Sequence, residues 1–493
     1  MQSRLMAKSK ALSTQQKTAL SIALVATSVV WIWSVHKSTS GMQGFGYENV
    51  FLTRTYEWLF YAVVSLVCFG IFILVAKNAP NRLAVAVGLF VCTATLALQV
   101  MSPIGLSTDY YRYIWQGRVS NAGQDNYALT PWDAGVEKAN DELFERMDWR
   151  DVRSVYPPLA EQYFRISAAI FDAKILEQTS FQTRLGVSKI PSLALFLLCA
   201  FLLYKLTNRK LIAFAWLALP FLQYELVNAS HVDVLSITLL LGALYTLKSR
   251  SLPLHVLAGS LVAAAGLVKI TPFIVIVPIA AYLYTNYSLT RSLAAVAGFV
   301  AVIVAGVAPY ILNDFALAKR TAFWFSGNEF SIGNPMHEIA TSISSDYGSI
   351  ALKIVMMIAG IAVLASIAKP VISKKLSYDT MLKYCLLLLL IPFIGAPIVL
   401  PWYWVTPFVV FAILMGKSNK ELSKTLLIVF LLFFALLLTQ YIDRAMDASL
   451  EVRRVVPVIS GLALYALVIV FLYRYLYSSG FHSPNKLTAV GKK

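Results

Sequence analysis

Asp109 sits where its neighbours could do chemistry with it. It opens the stretch "DYYRYIWQGRVSNAGQDNY" (109–127), which follows the apolar run "LAVAVGLFVCTATLALQV" and supplies Arg112, Arg118 and a dense set of aromatic rings. An arginine fork matches phosphate oxygens in both shape and charge. Aromatic faces stack on sugars and on apolar chains. A carboxylate beside such groups at a bilayer surface has what a general base needs, because it can take the proton of an acceptor hydroxyl while a phosphate departs. The residues alone leave a second reading open: Asp109 as a helix-end cap, or as the ion-pair partner of Arg112 three positions on.

Four other stretches carry polar side chains at the ends of apolar runs. "YELVNASHVD" (224–233) holds Glu225, Asn228, His231 and Asp233, "VKITP" holds Lys269, "FWFSGNEF" holds Trp324 and Asn328, and "VLPWYW" holds Trp402 and Tyr403. His231 and Asp233 follow Glu225 by six and eight positions, a spacing that matches no standard metal signature. A hydrogen-bonded network that orients a polar ligand fits them better. The chemistry requires no cofactor, and a divalent metal is admitted without being demanded. Lys269 is open to two readings, a cavity cation or a side chain snorkelling to water. The tryptophan and tyrosine pair at 402–403 likewise reads as a groove wall or as an interfacial anchor.

The elements that must position these groups are membrane helices. The chain has 493 residues, 58% of them hydrophobic and only 14% charged. Its mean hydropathy is +0.68. Soluble domains carry about 25% charged residues, so this is an all-α polytopic membrane protein. Apolar runs fall near 18–36, 57–76, 83–101, 190–204, 211–227, 233–247, 254–268, 271–284, 292–312, 350–368, 382–399, 401–416, 424–441 and 455–473. At roughly 20 residues per span they predict about twelve to fourteen transmembrane helices, with the pairs around 254–284 and 382–416 admitting tilted or re-entrant elements. The first run lacks a small-residue cleavage site and reads as a retained span. The whole of 1–493 reads as one transmembrane domain without a separate soluble domain.

Orientation follows from the short loops. With the N-terminus and its Arg4, Lys8, Lys10 and Lys17 in the cytosol, "KNAPNR", "KLTNRK", "KSRSLPLH", "KPVISKKLSYDTMLK", "GKSNKELSK" and the C-terminal tail all fall on the cytosolic side. The net charge of +17 is thereby accounted for by cytosolic loops, and nothing in the chain resembles a nucleic-acid module. The four cysteines lie inside apolar runs, without metal or disulfide spacing. One long extracytoplasmic loop, 102–189, has the amphipathic texture of helices lying along the outer surface, as in "ANDELFERMDWRDVRS" and "EQYFRISAAIFDA". All five polar stretches then fall on the outer side, four at the outer ends of spans and "FWFSGNEF" in the outer loop after the ninth. Ionisable groups at membrane depth are costly and are kept for function, so their convergence predicts one outward-facing cavity.

At these residues the chain resembles the GT-C membrane glycosyltransferases, and within them the bacterial polyprenyl-phosphate-mannose-dependent mannosyltransferases. "DYYRYIWQGRVSNAGQDNY", "VYPPLAEQYF", "YELVNASHVDVL", "GLVKITPFIVIVP", "FWFSGNEFSI" and "LPWYWVTPFVVF" resemble that family's motifs and occur in its order, over about 105–412. The chain departs from the pattern at Gln116, where the family has an acid, and at "DNY", where it has Asn-Pro-Tyr. The resemblance implies the GT-C fold, a bacterial inner-membrane location with the site outside, and inverting transfer of a hexose, mannose above others. The donor would be a polyprenyl-phosphate-linked sugar and the acceptor a hydroxyl of a glycan, glycolipid or protein. It implies Asp109 as base and Arg112, Arg118 and Lys269 as ligands of the donor phosphate. Glu225, Asn228, His231 and Asp233 would contact sugar or acceptor, with Tyr156, Trp324, Asn328, Trp402 and Tyr403 lining the groove. The alternative is a polyprenyl-lipid or polysaccharide transporter. Such a protein needs a midplane site open to both faces, whereas these polar groups gather on one side.

Overall fold

The computed structural model describes residues 13–40, 51–76, 81–104, 107–136, 141–311, 340–344, 347–396 and 399–417. Every regular element among them is helical, as a polytopic membrane protein of this composition requires. Among the described residues, six helices are long and apolar enough to cross a bilayer: Thr14–Lys37, Arg82–Met101, Phe181–Thr207, Leu289–Tyr310, Gly348–Ile372 and Tyr378–Gly395. Large apolar side chains stand on their outer faces, as Ile354, Val355, Ile358 and Ile361 do on Gly348–Ile372. That is the pattern of a lipid-facing surface.

Several of the expected spans take another form. The run near 211–227 is two helices, Lys210–Ala218 and Pro220–Asn228, bent by 60° and counting as a seventh span if taken together. Pro220 has no N–H to donate and its ring crowds the preceding turn, so the chain breaks at Leu219. The runs near 254–268 and 271–284 are the shorter apolar helices Leu252–Gly266 and Thr271–Asn286. At 15 residues the first reaches only about 22 Å, short of a hydrocarbon core of roughly 30 Å. Asp233–Thr246 and Trp402–Gly416 are short in the same way. The runs near 424–441 and 455–473 lie outside the described residues.

The loop after the third span is built of helices. Asp141 caps Glu142–Arg146, accepting from the Leu143 and Phe144 amides at 2.9 and 3.1 Å. Pro158–Phe171 starts on a proline at the helical entry, where the missing N–H costs nothing. A further helix, Asp109–Asn121, was not expected as a separate element. The third span stops at Met101, and Asp109 begins a new helix after a break instead of ending the span. This helix is buried, not laid on the surface: Tyr110, Tyr111, Arg112, Tyr113 and Trp115 are all inside. It is tied to the fold by Tyr110, which donates to the Ser188 carbonyl at 2.6 Å. It packs closely on Pro158–Phe171 because residue 117 is glycine; a Cβ there would collide with the Phe164 carbonyl. Two buried side chains hold the C-terminal end of the third span. Lys189 donates to the Ser102 carbonyl at 2.8 Å, and Asn228 donates to the Gln99 and Pro103 carbonyls at 2.9 and 3.2 Å. The break that delivers Asp109 is therefore tied at both of its sides to the rest of the bundle.

Candidate active site

Four irregular segments bring the polar side chains together. The first is the break after Met101, which leaves Asp109 in the first turn of its helix. An anion is favoured there by the helix dipole. The second follows the Pro220 bend. A single π-turn spans Tyr224–Asn228, closed by the Ala229 amide donating to the Tyr224 carbonyl at 2.8 Å. Ser230 then adopts a left-handed backbone with φ of 48°, uncommon for a residue with a Cβ. Together these two features turn the chain so that Glu225, His231 and Asp233 belong to one locus despite their spacing of six and eight. Departures of this kind cluster at functional sites.

The third segment is the turn between Leu252–Gly266 and Thr271–Val275, which carries Lys269. It is fastened to the loop after the third span by the Leu159 amide, which donates to the Leu267 carbonyl at 3.1 Å. The fourth is the short helical turn Pro401–Trp404, the source of Trp402 and Tyr403.

The resulting geometry is compact. His231 is fully buried and lies between two carboxylates. Its Nδ1 is 3.8 Å from Asp109 Oδ2 and its Nε2 is 3.1 Å from Glu225 Oε2, with Glu225 also fully buried. The imidazole stacks flat on Trp402, ring centroids 3.7 Å apart at 17°. Lys269 Nζ is 3.4 Å from Asp233 Oδ2, and their side chains are 18% and 2% exposed. The Lys269 ammonium lies over the Tyr403 ring at 4.3 Å and nearer the edge of range over Tyr156 at 5.7 Å. Tyr156 and Tyr113 share a hydroxyl contact of 2.9 Å, and Tyr127 donates to the Tyr156 carbonyl at 2.7 Å. Burial first, and then the Asp109 charge, push the Tyr156 phenol well above its ordinary value, so it remains a neutral donor. Asp109, Glu225, His231, Asp233, Lys269, Tyr156, Trp402 and Tyr403 thus form one cluster. Asp109 keeps 20% of its side chain exposed. The cluster can hold a base, a cation and aromatic walls around one polar ligand.

Three expected residues stand apart from this cluster. Arg118 was expected on a donor phosphate, but its guanidinium is engaged by carboxylates, Nη1 with Asp141 at 2.5 Å and Nη2 with Asp172 at 2.6 Å. Its Nε also donates to Asp172, at 2.7 Å, so the fork braces three segments of the loop. Arg112 is buried, and its Nη2 donates to the Val152 and Arg153 carbonyls at 2.6 and 3.0 Å. It shapes the strand of chain leading to Tyr156 while keeping its charge near Asp109. Asn228, expected on a sugar or acceptor, is fully buried with its amide on backbone carbonyls. Trp324 and Asn328 lie outside the described residues. Among the described residues, no group of three or more His, Cys, Asp or Glu is placed to hold a metal ion.

One member of the surrounding network was not singled out from the sequence. Glu161 is buried within the loop, accepting from Asn126 Nδ2 at 2.7 Å and from Ser154 Oγ. Burial raises its carboxyl to about 7, and the two donors oppose that shift without cancelling it. The signal was present in "PLAEQYF", an acid on the apolar side of an amphipathic helix.

A family model described as alpha-(1->6)-mannopyranosyltransferase, N-terminal domain, matches residues 17–286, more than half of the 493. No curated protein and no solved structure matches the chain.

Proposed function

The chain belongs to the alpha-(1->6)-mannopyranosyltransferase family, and on that premise we propose that it moves mannose from a polyprenyl-phosphate-linked donor to an acceptor hydroxyl, with inversion, at the outer face of the membrane. Mannosyl transfer is the family's chemistry; the donor, the stereochemistry and the side of the membrane are this proposal. Membership of a transferase family also argues against the transporter alternative.

The observation that carries the reading is the meeting of Asp109, His231, Lys269 and Trp402, from four separated parts of the chain, around one partly open locus. Asp109 is the base. It takes the proton from the acceptor hydroxyl as that oxygen bonds to the anomeric carbon. The bond from that carbon to the phosphate oxygen breaks, and its electron pair leaves on the phosphate. The leaving group needs no proton, because positive charge from Lys269 offsets the charge that develops there. Tyr156, Tyr403 and Trp402 are the walls against which sugar and acceptor rest, which fixes the attack geometry. The donor's apolar tail stays among the helices. The basic short loops support the sidedness, because they put the termini in the cytosol and these groups outside.

The test is transfer by the purified full chain in liposomes, with radiolabelled mannose on a polyprenyl phosphate offered on either leaflet beside a panel of other lipid-linked sugars and a nucleotide-linked mannose. Transfer from the polyprenyl-phosphate mannose on the outer leaflet is expected. Transfer from the nucleotide sugar, or from the cytosolic leaflet alone, would contradict the proposal.

A further inference from the structure

Resting on the transferase reading above, we propose that Glu225 is held as a neutral carboxylic acid that donates its proton to His231 Nε2 and so fixes His231 as the tautomer whose Nδ1–H faces Asp109. Glu225 and His231 are then positioning residues for the base, not sugar contacts.

A neutral imidazole has one N–H and one lone pair, yet this ring has a carboxyl group at each nitrogen, at 3.1 and 3.8 Å. With Asp109 ionised as the base, three proton distributions put a proton between Glu225 and Nε2. An imidazolium between two carboxylates puts a fully buried cation against a fully buried anion. It also adds a second positive charge beside Lys269, which is already matched by Asp233. Buried ions of this kind carry a desolvation penalty that their attraction seldom repays. A neutral ring with Nε2–H donating to an ionised Glu225 still buries an anion, and it leaves the bare Nδ1 lone pair facing the Asp109 carboxylate. The third distribution avoids both conflicts. Glu225 carries the proton, no ion sits in the fully buried pair, and Nδ1–H is directed at the one carboxylate of the two that keeps contact with solvent.

The ring cannot readily escape this arrangement. Trp402 lies flat against one face, and the backbone on its N-terminal side is set by the π-turn and the left-handed Ser230. The groups facing the imidazole are therefore Glu225, Asp109, the Lys269–Asp233 pair and Trp402. The 3.8 Å separation from Asp109 is longer than a hydrogen bond, and the 3.1 Å contact with Glu225 is within hydrogen-bond distance without being aligned as one. Catalytic contacts of this kind tighten when the substrate fills the site. During transfer the acceptor's proton goes to Asp109, and the protons on Glu225 and Nδ1 stay where they are.

The test reads the tautomer without turnover. The full chain, labelled with 15N-histidine, is placed in lipid nanodiscs near neutral pH, and the His231 signals are identified by their loss in His231→Gln. A bare Nε2 with a protonated Nδ1 is the expected result. A protonated Nε2, alone or together with Nδ1, would overturn the proposal. Kinetics in the same preparation gives the second reading. Glu225→Leu should lower kcat about ten-fold or more, the range for losing a partner that orients a reactive group. The donor KM should stay within about three-fold, the pattern of an interaction absent from ground-state binding. Glu225→Gln, whose amide can still donate to Nε2, should lose less. Equal losses in the two variants, or none in either, would also overturn it. Failure of the wild type to transfer mannose would strike the transferase reading instead, since the tautomer is read independently of activity.

Discussion

Trp402 lies flat on His231, ring centroids 3.7 Å apart at 17°, and so joins the last described motif of the chain to the Asp109 locus. The stack makes a specific demand on position 402. It holds a ring that has carboxyl groups at both nitrogens, and a flat aromatic face does this without competing for either.

Trp402→Ala should therefore damage more than packing. Truncating a buried tryptophan costs about 3–5 kcal/mol. With the stack gone, His231 no longer keeps its orientation toward Asp109. Trp402→Phe should restore most of the thermal stability in detergent while recovering only part of kcat. Equal recovery of both would make Trp402 a packing residue alone.

Lys269 and Asp233 should behave as a pair. Lys269→Gln leaves the Asp233 carboxyl, 2% exposed, without its cation. The cost should be about 1–3 kcal/mol, below the roughly 3–5 of a fully buried pair because Lys269 retains 18% exposure. Adding Asp233→Asn should return much of the stability without restoring donor KM, because the positive charge at the phosphate is still missing. Denaturation midpoints and donor titrations on the four members of the cycle check both halves.

Arg118 should separate from the donor altogether. Its fork is held by Asp141 and Asp172. Arg118→Leu should lower Tm, with a loss of about 1–3 kcal/mol for charge-assisted contacts. The donor KM of the folded fraction should stay within about two-fold. A ten-fold rise in KM at unchanged Tm would return Arg118 to the phosphate.

Glu161 should make stability depend on pH. Its carboxyl is raised to about 7 in the folded protein, against about 4.3 in the unfolded chain. The folded state then binds more protons across that window. The stabilising contribution is complete below about pH 4.3 and is lost as pH rises through 7, reaching at most about 4 kcal/mol. Tm should fall between pH 5 and 8 in the wild type, and Glu161→Gln should flatten that part of the profile. An unchanged slope in the variant would assign the dependence to other groups.

The site was legible in the sequence wherever an ionisable or aromatic group interrupted an apolar run. Asp109, Glu225, His231, Asp233, Lys269, Trp402 and Tyr403 stand out because membrane depth makes such residues costly, and the structure brings all of them together. Partners far along the chain were not legible. Arg118 looked like a phosphate fork because its carboxylates, Asp141 and Asp172, lie 23 and 54 positions away. Asn228 looked like a ligand contact for the same reason; the carbonyls it meets belong to the end of the third span. The all-α membrane class followed from hydropathy alone. Hydropathy does not report where a helix breaks, so the bend at Pro220 was counted as an ordinary span, whereas the pair of runs containing the short helix Leu252–Gly266 was already set apart as admitting a tilted or re-entrant element. The buried helix at Asp109–Asn121 escaped notice because its tyrosines and arginine read as interfacial until their partners are seen.

The measurement that bears most directly on the account compares wild type with Asp109→Asn in liposomes, reading both mannosyl transfer and binding of the polyprenyl-phosphate donor. If Asp109 is the base, the variant keeps donor affinity and loses about 100-fold or more in kcat, the range for removing a general base. A variant that transfers mannose at the wild-type rate would remove Asp109 from that role and, with it, the purpose assigned to His231 and Glu225.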